Sequence, residues 1–146
     1  MSELWQLSAL ELAAEIRSGR ASSREVLEAH LARTDAVNPQ LNAIVRRLDD
    51  EARAAADDAD RAVAAGDELG VLHGVPCTVK ENIDLAGTPT TQGVPALADA
   101  VAPIDAPTVE RMRAAGAIPF ARTNLPDLGL RVHTDSALHG LTRNPW

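Results

Sequence analysis

The sequence predicts an α/β fold, with a helical region over residues 1–69 followed by the first part of a strand-bearing core over residues 70–146. Three observations carry that expectation. Two Ser-x-x-Glu boxes, Ser8 to Glu11 and Ser22 to Glu25, open apolar-periodic stretches in the first region. Two short apolar runs bounded by turn residues, Val75–Val79 and Ala117–Ala121, read as buried strands in the second. A helix starting at Asp105-Ala106-Pro107 and stopping at Gly116 separates them. Strand, helix and strand in succession make a crossover unit with at least partly parallel pairing.

In chain order, Ser8 and Glu11 start a first helix, with Leu7 stapled on Leu12 and with Leu12 and Ile16 sharing its buried face. Gly19 supplies its left-handed stop. The second helix carries Val26, Leu27, His30 and Leu31 on one side and should end near Asn38-Pro39. His30, on that apolar side, reads as a packing histidine. Leu41–Leu48 is short and ambiguous, one strand turn leading into a helix. Asp49–Ala65 interleaves alanine with Asp50, Arg53, Asp57, Asp58 and Arg61, the pattern of a solvated helix rather than a metal cluster. Val94–Ala106 has little periodicity and is expected as irregular surface chain. Pro107 sits where the first turn of the next helix tolerates proline, with Asp105 as its cap. Thr123-Asn124-Leu125-Pro126 then turns the chain.

Composition excludes several function classes. A net charge of −7 and a pI near 5.0 leave no basic surface for nucleic acid. No apolar run approaches the ~20 residues of a membrane span, and no basic-then-apolar leader opens the sequence, so a cytoplasmic location is expected. The single cysteine, Cys77, rules out an internal disulfide and fits a reducing compartment.

Lys80 is the only lysine, the other thirteen of the fourteen basic residues being arginine. It follows the apolar segment Val75–Val79 and precedes a polar loop, Glu81–Gly93, where a strand end meets chain free to carry chemistry. Arginine stays charged, whereas a desolvated lysine can lose its proton and act as a base. A structural ion pair with Glu81 or Asp84 is the other reading of the same placement. Two further groupings stand beside it: Ser136 with Asp135, His133 and His139, which lacks a GxSxG elbow, and Cys77 near His73, where a small residue inside an apolar strand reads as core.

The run LHGVPCTVKENIDLAGTPTTQG, continued by DAPTVERMRAAGAIPFARTNLPDLG and HGLTRNPW, resembles the amidase signature family over about half of the chain. That family shares an HG-(I/V)-P-x-x-(V/I)-K-(D/E)-N-(I/F) segment followed by a G-x-x-T-T turn. The resemblance implies the N-terminal portion of the amidase-signature fold, a mixed β-sheet covered by helices. It also implies hydrolysis of carboxamide C–N bonds through a Ser–cis-Ser–Lys triad in which Lys80 is the catalytic base. Lys80 is therefore expected to be buried at the C-terminal end of its strand.

In the family the Gly/Ser-rich segment bearing the relay serine follows the phrase matched by Arg143-Asn144-Pro145-Trp146, and the nucleophilic serine comes later still. Residues 1–146 are accordingly expected to hold the base without the serines and to be inactive alone. No cofactor or metal is expected, and the only ligand implied is a small-molecule amide. The alternatives are the amidase-family component of a glutamine-dependent tRNA amidotransferase, a non-catalytic truncated product, and an interaction fragment associating with a serine-bearing chain. A thiol hydrolase using Cys77 with Lys80 and Glu81 is the outside reading. Because strands buried on both faces would lack neighbours, the chain is also expected to be poorly soluble or to form a homo-oligomer.

Overall fold

The computed structural model describes residues 3–146. Two compact units divide the chain. One holds the residues up to Ala36 with Leu48–Cys77 and Arg111–Phe120, and the other holds Val37–Arg47, Thr78–Glu110 and Ala121–Trp146. The boundary expected after residue 69 follows chain order, whereas these units interleave.

In the first unit, both capping boxes form. Ser8 Oγ accepts from the Glu11 N–H while Glu11 reaches back to the Ser8 N–H, starting α1 (Ala9–Arg17). Ser22 and Glu25 do the same for α2 (Ser23–Leu41). Leu12, Ala13, Ile16, Ala21, Val26 and Val75 make a buried cluster against which Leu4, Leu7, Val63 and Leu72 pack, so the Leu7 staple lies where the sequence puts it. Gly19 has the left-handed φ of a helix stop.

The third helix, α3 (Asp49–Ala65), buries Ala52, Ala56 and Ala59. Its acids do more than solvate it. Asp60 accepts from the Ser23 and Arg24 N–H groups at 2.6 and 3.1 Å, capping α2 from outside that helix. Asp57 pairs with Arg24 at 2.8 Å, and Glu28 on α2 takes Arg53 at 2.8 Å. His30 packs as expected, Nδ1 lying 2.8 Å from the Val26 carbonyl and the ring edge-on to Phe120 at 6.3 Å.

In the second unit, α2 runs to Leu41, past the expected end at Asn38-Pro39. Proline in a last turn removes only one donor, and Asn38 builds the exit. Its Oδ1 accepts from the Ala43 and Ile44 N–H groups at 2.9 and 2.8 Å, while Nδ2 donates to the Ile44 carbonyl at 2.8 Å. The ambiguous stretch that follows is strand β1 (Ile44–Arg47).

The main sheet has the order β1-β3-β2, where β2 is Pro76–Lys80 and β3 is Ile118–Thr123. β1 is antiparallel to β3, with Ile44 opposite Thr123 and Arg47 opposite Ala121. β2 and β3 run in one direction: the Ile118 N–H donates to Val75 O at one end, and the Glu81 N–H to Thr123 O at the other. The crossover between them contains α4 (Pro107–Ala114), with proline at its first position. The sheet is thus mixed, and the chain combines it with helices, as expected.

Segment 94–106 holds only a 3₁₀ turn at Pro95–Leu97 and an isolated bridge from Pro89 to Val101. Asp105, expected as the cap of α4, accepts from the Ala86 N–H at 2.7 Å. A two-residue hairpin, β4 (Asp135–Ser136) and β5 (Gly140–Leu141), follows the last long strand. No helix among the described residues is long and apolar enough to cross a membrane.

The expectation of strands buried on both faces holds only in part. β3 is buried from Ile118 through Arg122. The end of β2 alternates, with Val79 buried and Thr78 and Lys80 exposed, the pattern of a strand with one face open among the described residues.

Candidate active site

Lys80 is the last residue of β2 and is exposed. Within residues 3–146 its expected burial is therefore corrected: the two-residue side-chain period of a strand turns Val79 inward and Lys80 outward. Glu81, next in the chain, turns inward again and is 1% exposed. Both acids offered as ion-pair partners turn to other groups. Glu81 Oε2 accepts from the Thr91 hydroxyl and lies 3.4 Å from His139 Nε2, and Asp84 Oδ1 accepts from Thr90 Oγ1 at 2.7 Å.

The loop after Lys80 is built around Arg122, which is fully buried. β3 extends two residues beyond the apolar run that marks it in the sequence, and that extension carries the guanidinium inside. Nε donates to Val79 O at 3.3 Å, and Nη2 donates to Lys80 O at 3.2 Å and Ile83 O at 2.8 Å. Nη1 donates to the Thr88 hydroxyl. Burial lowers the Arg122 pKa, and the nearby Glu81 carboxylate works in the opposite direction.

A second polar group sits at the end of β3. Asn124 Nδ2 donates to Gly140 O at 2.9 Å and to Thr142 Oγ1 at 3.1 Å. Asn42 Nδ2 donates to His139 O at 2.7 Å, and the Thr142 hydroxyl returns a bond to Asn42 O at 2.6 Å. Gly93, at φ +73°, passes close to Ser136; a Cβ there would stand 3.0 Å from the Ser136 Cβ.

The Ser136 grouping does not assemble as a catalytic trio. Ser136 is buried, its hydroxyl donating to Asn124 Oδ1 at 3.1 Å and accepting from the His139 backbone N–H at 3.0 Å. The His139 ring faces Glu81 instead, and His133 is exposed. The thiol grouping fails on its electrostatics. Burial pushes the Cys77 thiol up to about 11, against a smaller opposing pull from Arg113, so the thiolate is scarce at neutral pH. His73 Nε2 lies 2.9 Å from Ala59 O, holding α3 rather than activating sulfur.

Sequence reasoning singled out Lys80 and did not join Arg122, Glu81, Asn124 and His139 into one polar interior. The available signal was a cation, Arg122, directly abutting an apolar strand with no polar alternation.

With that geometry in place, comparisons with known proteins align. The family model described as Amidase matches residues 25–146. An indoleacetamide hydrolase of Bradyrhizobium diazoefficiens is 54% identical over 143 residues, covering 98% of this chain and 27% of that protein. A glutamyl-tRNA(Gln) amidotransferase chain of Salinispora tropica is 40% identical over 146 residues, all of this chain and 30% of the relative. A bacterial aryl acylamidase of solved structure superposes with a TM-score of 0.90 at 34% identity, over 95% of this chain and 29% of that one. The chain spans less than a third of the length of each of these.

Proposed function

This chain belongs to the amidase signature family, and from that membership we propose that Lys80 is the general base in hydrolysis of a carboxamide C–N bond. The observation that carries the proposal is the position of the only lysine in an HGVPCTVKEN segment, at the C-terminal end of β2, where the following loop is held by buried polar groups. In the Ser–cis-Ser–Lys scheme, the Lys80 amine takes a proton through a bridging serine. The second serine attacks the carbonyl, ammonia leaves, and water releases the acid. Those serines follow the Arg143–Trp146 phrase in the family, and none of the serines of residues 1–146 is assigned to either role. The proposal includes a cytoplasmic enzyme, for which the free Cys77 speaks.

The 54% identical indoleacetamide hydrolase favours a primary amide on a small aromatic acid as substrate. The amidotransferase relative, matched over the whole chain, keeps glutamine as the second reading. The test is ammonia release by the gene product containing residues 1–146, from indole-3-acetamide, a simple aryl amide and glutamine, in the wild type and in Lys80→Met. Turnover of the aromatic amides, lowered on the order of 10²–10⁴-fold in Lys80→Met, is the expected result. Release from glutamine alone transfers the assignment to the second reading, and an unchanged Lys80→Met rate removes Lys80 from the chemistry. Residues 1–146 expressed alone are expected to release no ammonia above background.

A further inference from the structure

We infer that Arg122 is the positioning residue for Lys80, an inference that rests on the reading of Lys80 as the base. Lys80 is on an edge strand with its side chain in solvent, so few packing contacts select its direction. Its backbone is another matter. The carbonyls on both sides of its Cα, those of Val79 and of Lys80 itself, accept from the same buried guanidinium at 3.3 and 3.2 Å. The Lys80 carbonyl also receives the Ile83 N–H at 3.0 Å, closing the turn that ends β2, and the Ile83 carbonyl accepts from Arg122 Nη2 at 2.8 Å.

One planar fork therefore fixes two successive peptide groups and the turn beyond them. With both flanking peptides fixed, the Cα–Cβ vector of Lys80 is fixed as well, and a base must leave the backbone in one direction to meet its proton donor. A lysine at position 122 supplies a single ammonium centre and cannot reproduce the fork. The guanidinium is itself held: Thr88 Oγ1 accepts from Nη1 and donates to Leu85 O at 2.8 Å. Arg122 acts on Lys80 through the main chain, with no recorded contact to its side chain.

The experiment has two arms on the gene product containing residues 1–146. Kinetics of Arg122→Lys and of the milder Thr88→Val are compared with wild type, with circular dichroism confirming the fold. A misdirected base should lower kcat on the order of a hundredfold in Arg122→Lys and less in Thr88→Val, with KM unchanged. Lysine-selective ¹³C/¹⁵N labelling then reads Lys80, the only lysine of residues 1–146, through the signals that disappear in Lys80→Met. Its two β-proton shifts are expected to be distinct in wild type and to converge in Thr88→Val. Wild-type kcat in Arg122→Lys, or β-proton shifts unaltered in Thr88→Val, overturns the inference. Failure of the base reading shows separately, as full activity in Lys80→Met, and leaves the spectroscopic arm standing as a test of the clamp.

Discussion

Arg122 donates to the Lys80 carbonyl at 3.2 Å from Nη2, so a buried cation of β3 meets the main chain of an exposed one on β2. The residue between them in function is Glu81. It follows Lys80 in sequence but turns inward, and its carboxylate offsets the burial of Arg122. The Lys-Glu pair of the HGVPCTVKEN segment thus has two jobs on opposite sides of the chain. Lysine is presented outward, and the acid turns inward toward the buried arginine, whose burial it partly offsets.

Gly74 is expected to be irreplaceable for a reason that φ alone does not give. Its φ is +75°, and a Cβ would stand 2.8 Å from Ser23 Oγ, whose hydroxyl donates to Gly74 O at 2.8 Å. Gly74→Ala should cost about 2–4 kcal/mol, combining a left-handed backbone with overpacking of a buried serine. Gly66 has the same φ with nothing within 4 Å, so Gly66→Ala should cost only about 1 kcal/mol. Urea denaturation of the two variants separates strain from collision. Equal losses would show that the Ser23 contact relaxes.

What the sequence made legible was local. Ser8-x-x-Glu11 and Ser22-x-x-Glu25 announce helix starts because the bonds that define them lie within four residues. The crossover from β2 to β3 was readable for the same reason, from two apolar runs and a Pro-started helix. Tertiary facts were not. That Val79 is covered while Lys80 stays exposed among the described residues depends on what packs on each face of β2, which no residue of Pro76–Lys80 encodes. The role of Asp60 depends on an α2 terminus thirty-six and thirty-seven residues away, and an alanine-rich helix gives no sign of it. The extension of β3 to Arg122 was hidden because an arginine ordinarily ends a buried strand. Here the carbonyls of 79, 80 and 83 and the Thr88 hydroxyl take its donors.

Stability should fall at high pH through Cys77. Its thiol is raised from 9.0 to about 11, chiefly by burial, so between those values the folded state holds a proton that the unfolded state has lost. The contribution is complete below pH 9, declines as pH rises toward 11, and amounts to on the order of 2–3 kcal/mol over that window. Denaturation midpoints of wild type and Cys77→Ala, measured from pH 8 to 11, should converge or cross as the wild type loses stability faster. Parallel pH profiles would show that the thiol is not shifted. The same shift makes Cys77 slow to alkylate at neutral pH in the native protein.

The buried charges of Glu81 and Arg122 should prove thermodynamically coupled although no direct bond joins them among the recorded contacts. Glu81 is 1% exposed, Oε2 takes the Thr91 hydroxyl and lies 3.4 Å from His139 Nε2, and Oε1 has no hydrogen-bond partner among the described residues. A carboxylate left that short of hydrogen bonds is tolerated because Arg122 is a cation in the same interior, and the cation is tolerated because of the carboxylate. Glu81→Gln keeps the shape and the Thr91 bond but removes the largest favourable charge on the guanidinium, leaving Asp84 as the other, and should cost about 2–4 kcal/mol. Arg122→Met should cost more in the wild type than in the Glu81→Gln background, with a coupling of about 1–2 kcal/mol in a double-mutant cycle read from urea denaturation. If the two losses simply add, to within about 0.5 kcal/mol, the charges do not sense one another. Arg122 would then be stabilised by the carbonyls, Thr88 and the charge of Asp84.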